Sequence, residues 1–330
     1  MSESHTSIFL TGATGYIGGS VLARLLAHPS AETFNITVVS RQAEKAKKLE
    51  SFGVNAVVGS MDDYALVEEL ASKAHVVIDC ADADNLPAVE AILRGLRKRH
   101  ATVGDLSTLI HTSGTGVLTD TAKGLYASDV ICDDLNADQI EAIPDTALHR
   151  DVDLAVVNAD KQGYLKSYII IPSTIYGIAK NPLVEAGRKQ AAVVGKGVSF
   201  WPDVSIDDVS ELYIVLFDSI VSNPDKTGHG REGYYFGENG EHRWYDISRA
   251  VGEALVELGI SKDPEPTSFT DEELIKYFGS VDAGNYAGSN SRCRANRGRS
   301  IGWNPKHTTK DMLASIKPEV EAILKQQGGK

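Results

Sequence analysis

The chain has 330 residues, 42% hydrophobic and 24% charged, enough for one large α/β domain and a smaller lobe. Its 33 basic and 45 acidic residues leave a net charge of −12, which argues against a nucleic-acid-binding surface. Cys80, Cys132 and Cys293 are widely spaced with no C-x-x-C, and neither a signal peptide nor a membrane-length apolar run is present. The expectation is a soluble cytoplasmic protein, monomer or homodimer, acting on a small molecule without nucleic-acid, membrane or metal partners.

The first half alternates strand and helix patterns. Residues 7–12 read as a strand. A helix follows over 15–28, with Ile17, Val21 and Leu25 on one face and Pro29 as its stop. A β-branched strand at 34–40 leads into a polar helix at 43–53 that ends on Gly53. Strands at 54–60, 74–81 and 107–115 enclose helices at 63–73 and 85–100, the second with Val89, Ile92, Leu93 and Leu96 at helical spacing. The pattern then loosens into a helix at 153–163, a strand at 167–177, a late strand within 231–240, and helices at 246–259, 270–278 and 309–326. Successive βαβ units predict a doubly wound parallel sheet, the Rossmann arrangement, with a smaller C-terminal α/β lobe.

The first strand runs into Gly12-x-x-Gly15-x-x-Gly18. Such glycines allow a tight turn, close approach of backbone to a pyrophosphate, and tight packing of helix on sheet. The helix start then presents free N–H groups and a positive partial charge to the phosphates. The second strand ends in Ser40 and Arg41, with Lys45 a turn later and no carboxylate at its tip. A ribose 2′-OH calls for a carboxylate there and a 2′-phosphate for a cation, so the expected cofactor is NADP(H).

"TGATGYIGG" (11–19) resembles the cofactor motif of the extended short-chain dehydrogenases/reductases and their atypical, NmrA-like relatives. "IIIPSTIYG" (169–177), with Ile171 where arginine is usual, "VSIDDVSELYI" (204–214) and "SIGWNPK" (300–306) resemble further segments of that family, in its order. The resemblance implies a cofactor site of Gly12, Thr14, Gly15, Tyr16, Ile17 and Gly18, then Ser40 and Arg41. It adds Ser60 and Met61 beside the adenine, Cys80 and Ala81 along the adenosine, and Thr112, Ser113, Pro172, Ser173 and Thr174. It also implies a nucleotide-binding domain over 1–180, rejoined by 204–240, and a substrate lobe of 181–203 and 241–330. Residues 181–197 are short for that lobe.

The family's Tyr-x-x-x-Lys pair is missing from its place. Only Tyr176 and Lys180 have the spacing, and they sit beyond the sixth strand, where Tyr176 is expected at most to line the pocket. In the segment where the pair belongs, Asp145 falls near the tyrosine position and His149 near the lysine position, with Lys161 as a second candidate. Histidine titrates near neutrality and can relay a proton to a carbonyl oxygen. Arg150 beside it offers a grip on an anion, or the two are an exposed helix start. At the fifth strand's tip Gly114 matches the family's catalytic Ser/Thr position, leaving Ser113 or Thr115 to substitute. The candidate catalytic set is therefore Ser113, His149, Lys161 and Tyr176.

The leading expectation is an NADP(H)-dependent oxidoreductase of a small carbonyl or alcohol. A non-catalytic redox sensor and a cofactor-retaining epimerase or dehydratase stand as alternatives. Four arginines in "SRCRANRGR" (291–299) read as a solvated basic loop or as a guide for an anionic ligand. "LRKRH" (96–100) complements a helix C-terminus, and Trp201 reads as packing or as a pocket cover.

Overall fold

A computed structural model describes residues 5–177 and 190–328. Its core is a parallel seven-stranded sheet. In chain order the first half comprises β1 (Thr6–Leu10), α1 (Tyr16–Leu26), β2 (Phe34–Ser40), α2 (Ala43–Glu50), β3 (Asn55–Val58), α3 (Tyr64–Ala71), β4 (Val76–Asp79), α4 (Leu86–Val103) and β5 (Ser107–Thr112). A short strand β6 (Cys132–Asp133) and helix α5 (Ala137–Glu141) precede α6 (Arg150–Lys161), β7 (Leu165–Pro172) and β8 (Thr174–Tyr176). The remainder holds β9 (Ala192–Val193), β10 (Phe200–Ser205), α7 (Ile206–Ser222), β11 (Tyr234–Gly237), β12 (Glu241–Arg243), α8 (Trp244–Glu257), β13 (Thr267–Ser268), α9 (Asp271–Phe278), α10 (Val281–Ala287), β14 (Cys293–Arg294), α11 (Asn296–Ser300) and α12 (Thr309–Gly328).

The sheet order is β11-β7-β5-β4-β1-β2-β3, so the chain reverses direction between β1 and β4. That switch point is where open α/β sheets bind ligands, at the carboxyl ends of the strands. All six residues of β5 are buried, as expected of a central parallel strand covered on both faces. No described helix is long and apolar enough to cross a membrane.

The strand expected at 167–177 is in fact two. The amide and hydroxyl of Ser173 both donate to the Gly237 carbonyl, at 3.0 and 2.7 Å. The chain then leaves the main sheet, and β8 pairs with β10 in a second sheet ordered β12-β10-β8. The helix expected at 153–163 begins earlier, at Arg150. Strand β10 and helix α7 were not foreseen: Pro202 lies within the strand, and the helix is apolar over most of its surface.

The two family-like segments at 204–214 and 300–306 meet. Ser205 caps α7, and Asp208 at its first turn accepts from the amides of Lys306 and His307 at 2.9 and 2.8 Å. Trp303 is buried and donates Nε1–H to the Asp208 carbonyl at 2.8 Å. Asp62 and Asp63 serve a turn: Ser60 donates to Asp62, and Asp63 caps α3.

The arginines of the basic loop are tied into the fold. Arg292 forks onto Glu241 at 2.6 and 2.9 Å, and Arg299 donates to the Glu238 carbonyl at 3.1 Å. Buried Arg297 donates to the Asp134 carbonyl at 2.8 and 3.0 Å. The cations are consumed in holding residues 291–299 against β6, β11 and β12. Trp201 packs among Trp244 and Tyr286 and donates Nε1–H to the Ser289 carbonyl. Lys180 and residues 181–189 of the short stretch lie outside the described residues.

Candidate active site

The glycine loop is a cradle in which side chains are excluded. Gly12 has a φ of +68°, and a Cβ there would strike the Cys80 carbonyl. A Cβ on Gly18 would strike the Gly12 carbonyl, so α1 lies close on the turn. Gly15 is the N-cap of α1, and no side chain caps the helix. The first-turn amides therefore have no side-chain cap, which leaves them available to an anion such as a phosphate. The loop is anchored from behind: Thr11 donates to Asp79 at 2.6 Å, and the Cys80 amide donates to Thr11 Oγ1 at 3.0 Å. Tyr16 donates its hydroxyl to the Gly177 carbonyl, tying the loop to the end of β8. Partial burial pushes its phenol up to about 12, assisted by Glu319 and Asp207.

At the tip of β2, Ser40 is buried and its hydroxyl donates to the Gln42 carbonyl, whereas Arg41 is exposed with no partner among the described residues. A free guanidinium one strand from the cradle fits a phosphate on the adenosine sugar. Ser60 and Met61 stand half-buried at the next strand end. Burial pushes the Cys80 thiol up to about 12, which leaves it a neutral packing group beside Thr112.

The tip of β5 carries the second half of the site. His149 is the N-cap of α6 in a left-handed conformation, φ +67°. Its Nδ1 lies 2.6 Å from the Asp84 carboxylate. Because a carboxylate only accepts, this contact holds the proton of a neutral imidazole on Nδ1 and leaves Nε2 free. Nε2 points at the β5 tip: a Cβ on Gly114 would lie 3.0 Å from it, and one on Gly116 3.2 Å. Glycine at 114 is thus what admits the imidazole.

Beneath His149 runs a buried polar layer. Ser113 turns its hydroxyl inward to Asp153, at 3.2 Å, and Asp153 is fully buried. Burial pushes the Asp153 carboxyl up to about 6, against the opposing pull of His111, Ser113 and Arg150. His111, equally buried, places Nδ1 2.9 Å from Asp79. Burial pulls its pKa down, but Asp79, Asp153 and Asp84 together raise it above the usual value. His111 Nε2 and Asp153 Oδ1 have no hydrogen-bond partner.

Residues 4–90 match the NmrA-like family. The chain is 28% identical to the oxidase ucsJ of an Acremonium species, over 96% of this chain and 98% of that protein. It is 35% identical to the phenylcoumaran benzylic ether reductase PT1 of Pinus taeda, over 29% of this chain and 32% of the reductase. Among solved structures it resembles a UDP-glucose 4-epimerase of Thermotoga maritima, with a TM-score of 0.68 at 16% identity over 98% and 100% of the two chains. It also resembles the dTDP-glucose 4,6-dehydratase DesIV of Streptomyces venezuelae, with a TM-score of 0.65 at 14% identity over 96% and 97%. These likenesses are of fold: the seven-stranded sheet with an added C-terminal α/β region. The matched segment contains the glycine cradle.

The structure separates the residues singled out by sequence. It brings Ser113 and His149 to the β5 tip. It places Lys161 exposed at the far end of α6, roughly 18 Å of helix rise from His149 and toward the opposite edge of the sheet. Arg150 points inward, 3% exposed, and donates to the Tyr234 hydroxyl at 3.0 Å, so it grips no ligand. Thr112 spends its hydroxyl on Tyr213 at 2.6 Å. Tyr176 donates to the Thr308 carbonyl at 3.0 Å, and with Thr174 it lines a cavity of about 370 Å³.

That cavity is walled chiefly by Trp244, Val251, Phe269, Phe278, Met312 and Ile316, with Glu319 as its charged group among the described residues. Two contributors to the site escaped the sequence reading, Asp84 and Tyr286. Asp84 sits in the "ADADN" loop after β4 and carries no motif. Tyr286 sits in the C-terminal lobe, where nothing in the spacing ties it to β5.

Proposed function

We propose that this protein is an NADP(H)-dependent oxidoreductase interconverting a small organic carbonyl and its alcohol. The observation that carries this reading is the Asp84–His149 pair aimed at Gly114, where the resembled family carries its catalytic Ser/Thr. A bound reduced nicotinamide supplies the hydride. His149, oriented by Asp84, relays the proton that the substrate oxygen gains. The half-exposed Asp84 holds Nδ1–H, so the proton that moves is the one on Nε2. Arg41 selects the 2′-phosphate. The names of the relatives, an oxidase and a benzylic ether reductase, support redox chemistry. In this reading residues 1–180 with 204–240 form the nucleotide-binding unit, and residues 181–203 with 241–330 form the substrate lobe.

The test is NADPH consumption with a panel of aldehydes and ketones, alongside calorimetric binding of NADPH and NADH. Turnover well above the blank is expected. Arg41→Ala should weaken NADPH at least tenfold, about 1.4 kcal/mol, and leave NADH unchanged. Tight NADPH binding without turnover of any carbonyl would instead favour a redox sensor.

A further inference from the structure

The residue in the usual tyrosine's place gives no phenol, yet a phenol reaches the site from elsewhere. Tyr286 lies on α10 in the C-terminal lobe. A Cβ on Gly116 would collide with Tyr286 Oη and would lie 3.2 Å from His149 Nε2 and 3.1 Å from Leu148. Phenol and imidazole therefore crowd one point above the β5 tip, within the reach of a single bridging water. Glycine at 116 is what makes the room.

The ring is held rather than loose. It packs edge-on against Trp201, with centroids 6.2 Å apart, and Trp201 in turn packs on Trp244 at 5.9 Å. Trp244 and Ala287, the neighbour of Tyr286, both line the apolar cavity. A continuous aromatic wall thus leads from the cavity to the point where Tyr286 and His149 meet. Tyr286 remains 36% exposed.

We propose that Tyr286 is the catalytic hydroxyl of this enzyme, delivered by the C-terminal lobe, with His149 and Asp84 as the relay behind it. The assignment rests on the oxidoreductase reading above. In the reducing direction the carbonyl carbon accepts a hydride from the reduced nicotinamide, and the carbonyl π pair moves onto oxygen. That oxygen takes the proton from Tyr286 Oη as the O–H bond of the phenol breaks. The phenolate recovers a proton from the Nε2–H of the His149 imidazolium, Nδ1–H stays on Asp84, and Nε2 takes a replacement proton from solvent before the next turnover. The sum is one carbonyl, one reduced nicotinamide and one proton giving one alcohol and one oxidised nicotinamide. Free phenol is a poor acid at neutral pH, so an adjacent imidazolium is the needed assistance. Burial, partly opposed by Thr119, raises the resting Tyr286 further.

Two measurements on the full chain test this. Tyr286→Phe should lower kcat for the best carbonyl of the panel about 100-fold while NADPH affinity and melting temperature stay unchanged. Separately, the 13Cε1 signal of His149, assigned by its loss in His149→Asn, should change its titration midpoint in Tyr286→Phe, because its neighbour is gone. An active wild type with Tyr286→Phe within threefold of it overturns the assignment, as does an unmoved His149 titration. A wild type inert towards every carbonyl overturns the oxidoreductase reading itself, and the assignment with it.

Discussion

Two histidine–aspartate pairs stand near the carboxyl edge of the sheet, and their surroundings give them opposite roles. His111–Asp79 lies inside β5 and β4 with both side chains almost fully buried. Its carboxylate is also held by Thr11, so the pair fixes the floor of the glycine loop. His149–Asp84 has the same chemistry at a similar distance, but the carboxylate is half-exposed and the imidazole faces glycines rather than packed side chains. A buried pair cannot exchange protons with water on demand, and losing one partner strands a charge. A rim pair can exchange, and its loss strands nothing. The same two residue types thus serve architecture in one place and proton traffic in the other.

The widest separation between the pairs should come from His149→Asn, since asparagine tolerates the left-handed backbone at this position. Turnover should fall about 10³-fold, roughly 4 kcal/mol of transition-state stabilisation, with the melting curve unmoved. The converse is His111→Ala. Denaturant unfolding should show a loss of about 3 kcal/mol, with kcat per folded molecule nearly retained. If His111→Ala spared stability and abolished turnover, the division of roles would be reversed.

The finest test is the Asp153 carboxyl below both pairs. Its native value of about 6 lies above the unfolded carboxyl near 3.9, so the native state binds the extra proton between those limits. Stability from this group is greatest below about pH 4 and falls as pH rises to about 6. Asp153→Asn removes that fall. The variant should gain on wild type by about 3 kcal/mol across the window, read as melting temperature against pH.

The parallel sheet and glycine cradle were legible in the sequence because their causes are local. β-branched runs, helical spacing and three glycines each act within a few residues, and β2 spans the 34–40 expected of it. His149 was singled out through its chemistry and its place near the missing lysine. Its partner was not, because Asp84 reaches it across 65 residues from a loop without a pattern. The arginines of 291–299 misled for the same reason. Their counter-charges, Glu238, Glu241 and the Asp134 backbone, are brought to them by tertiary pairing of β14 with β6. Tyr286 could be linked to Gly116 only once α10 had been placed over the β5 tip.

The clamp of Asp208 on the backbone of Lys306 and His307 has a temporal consequence. During synthesis the phosphate cradle emerges within the first fold-competent stretch, whereas Met312 and Ile316, which wall the cavity, follow nearly the whole chain. The wall of the cavity is therefore the last part of the fold to become available, although the glycine loop is complete early in the chain.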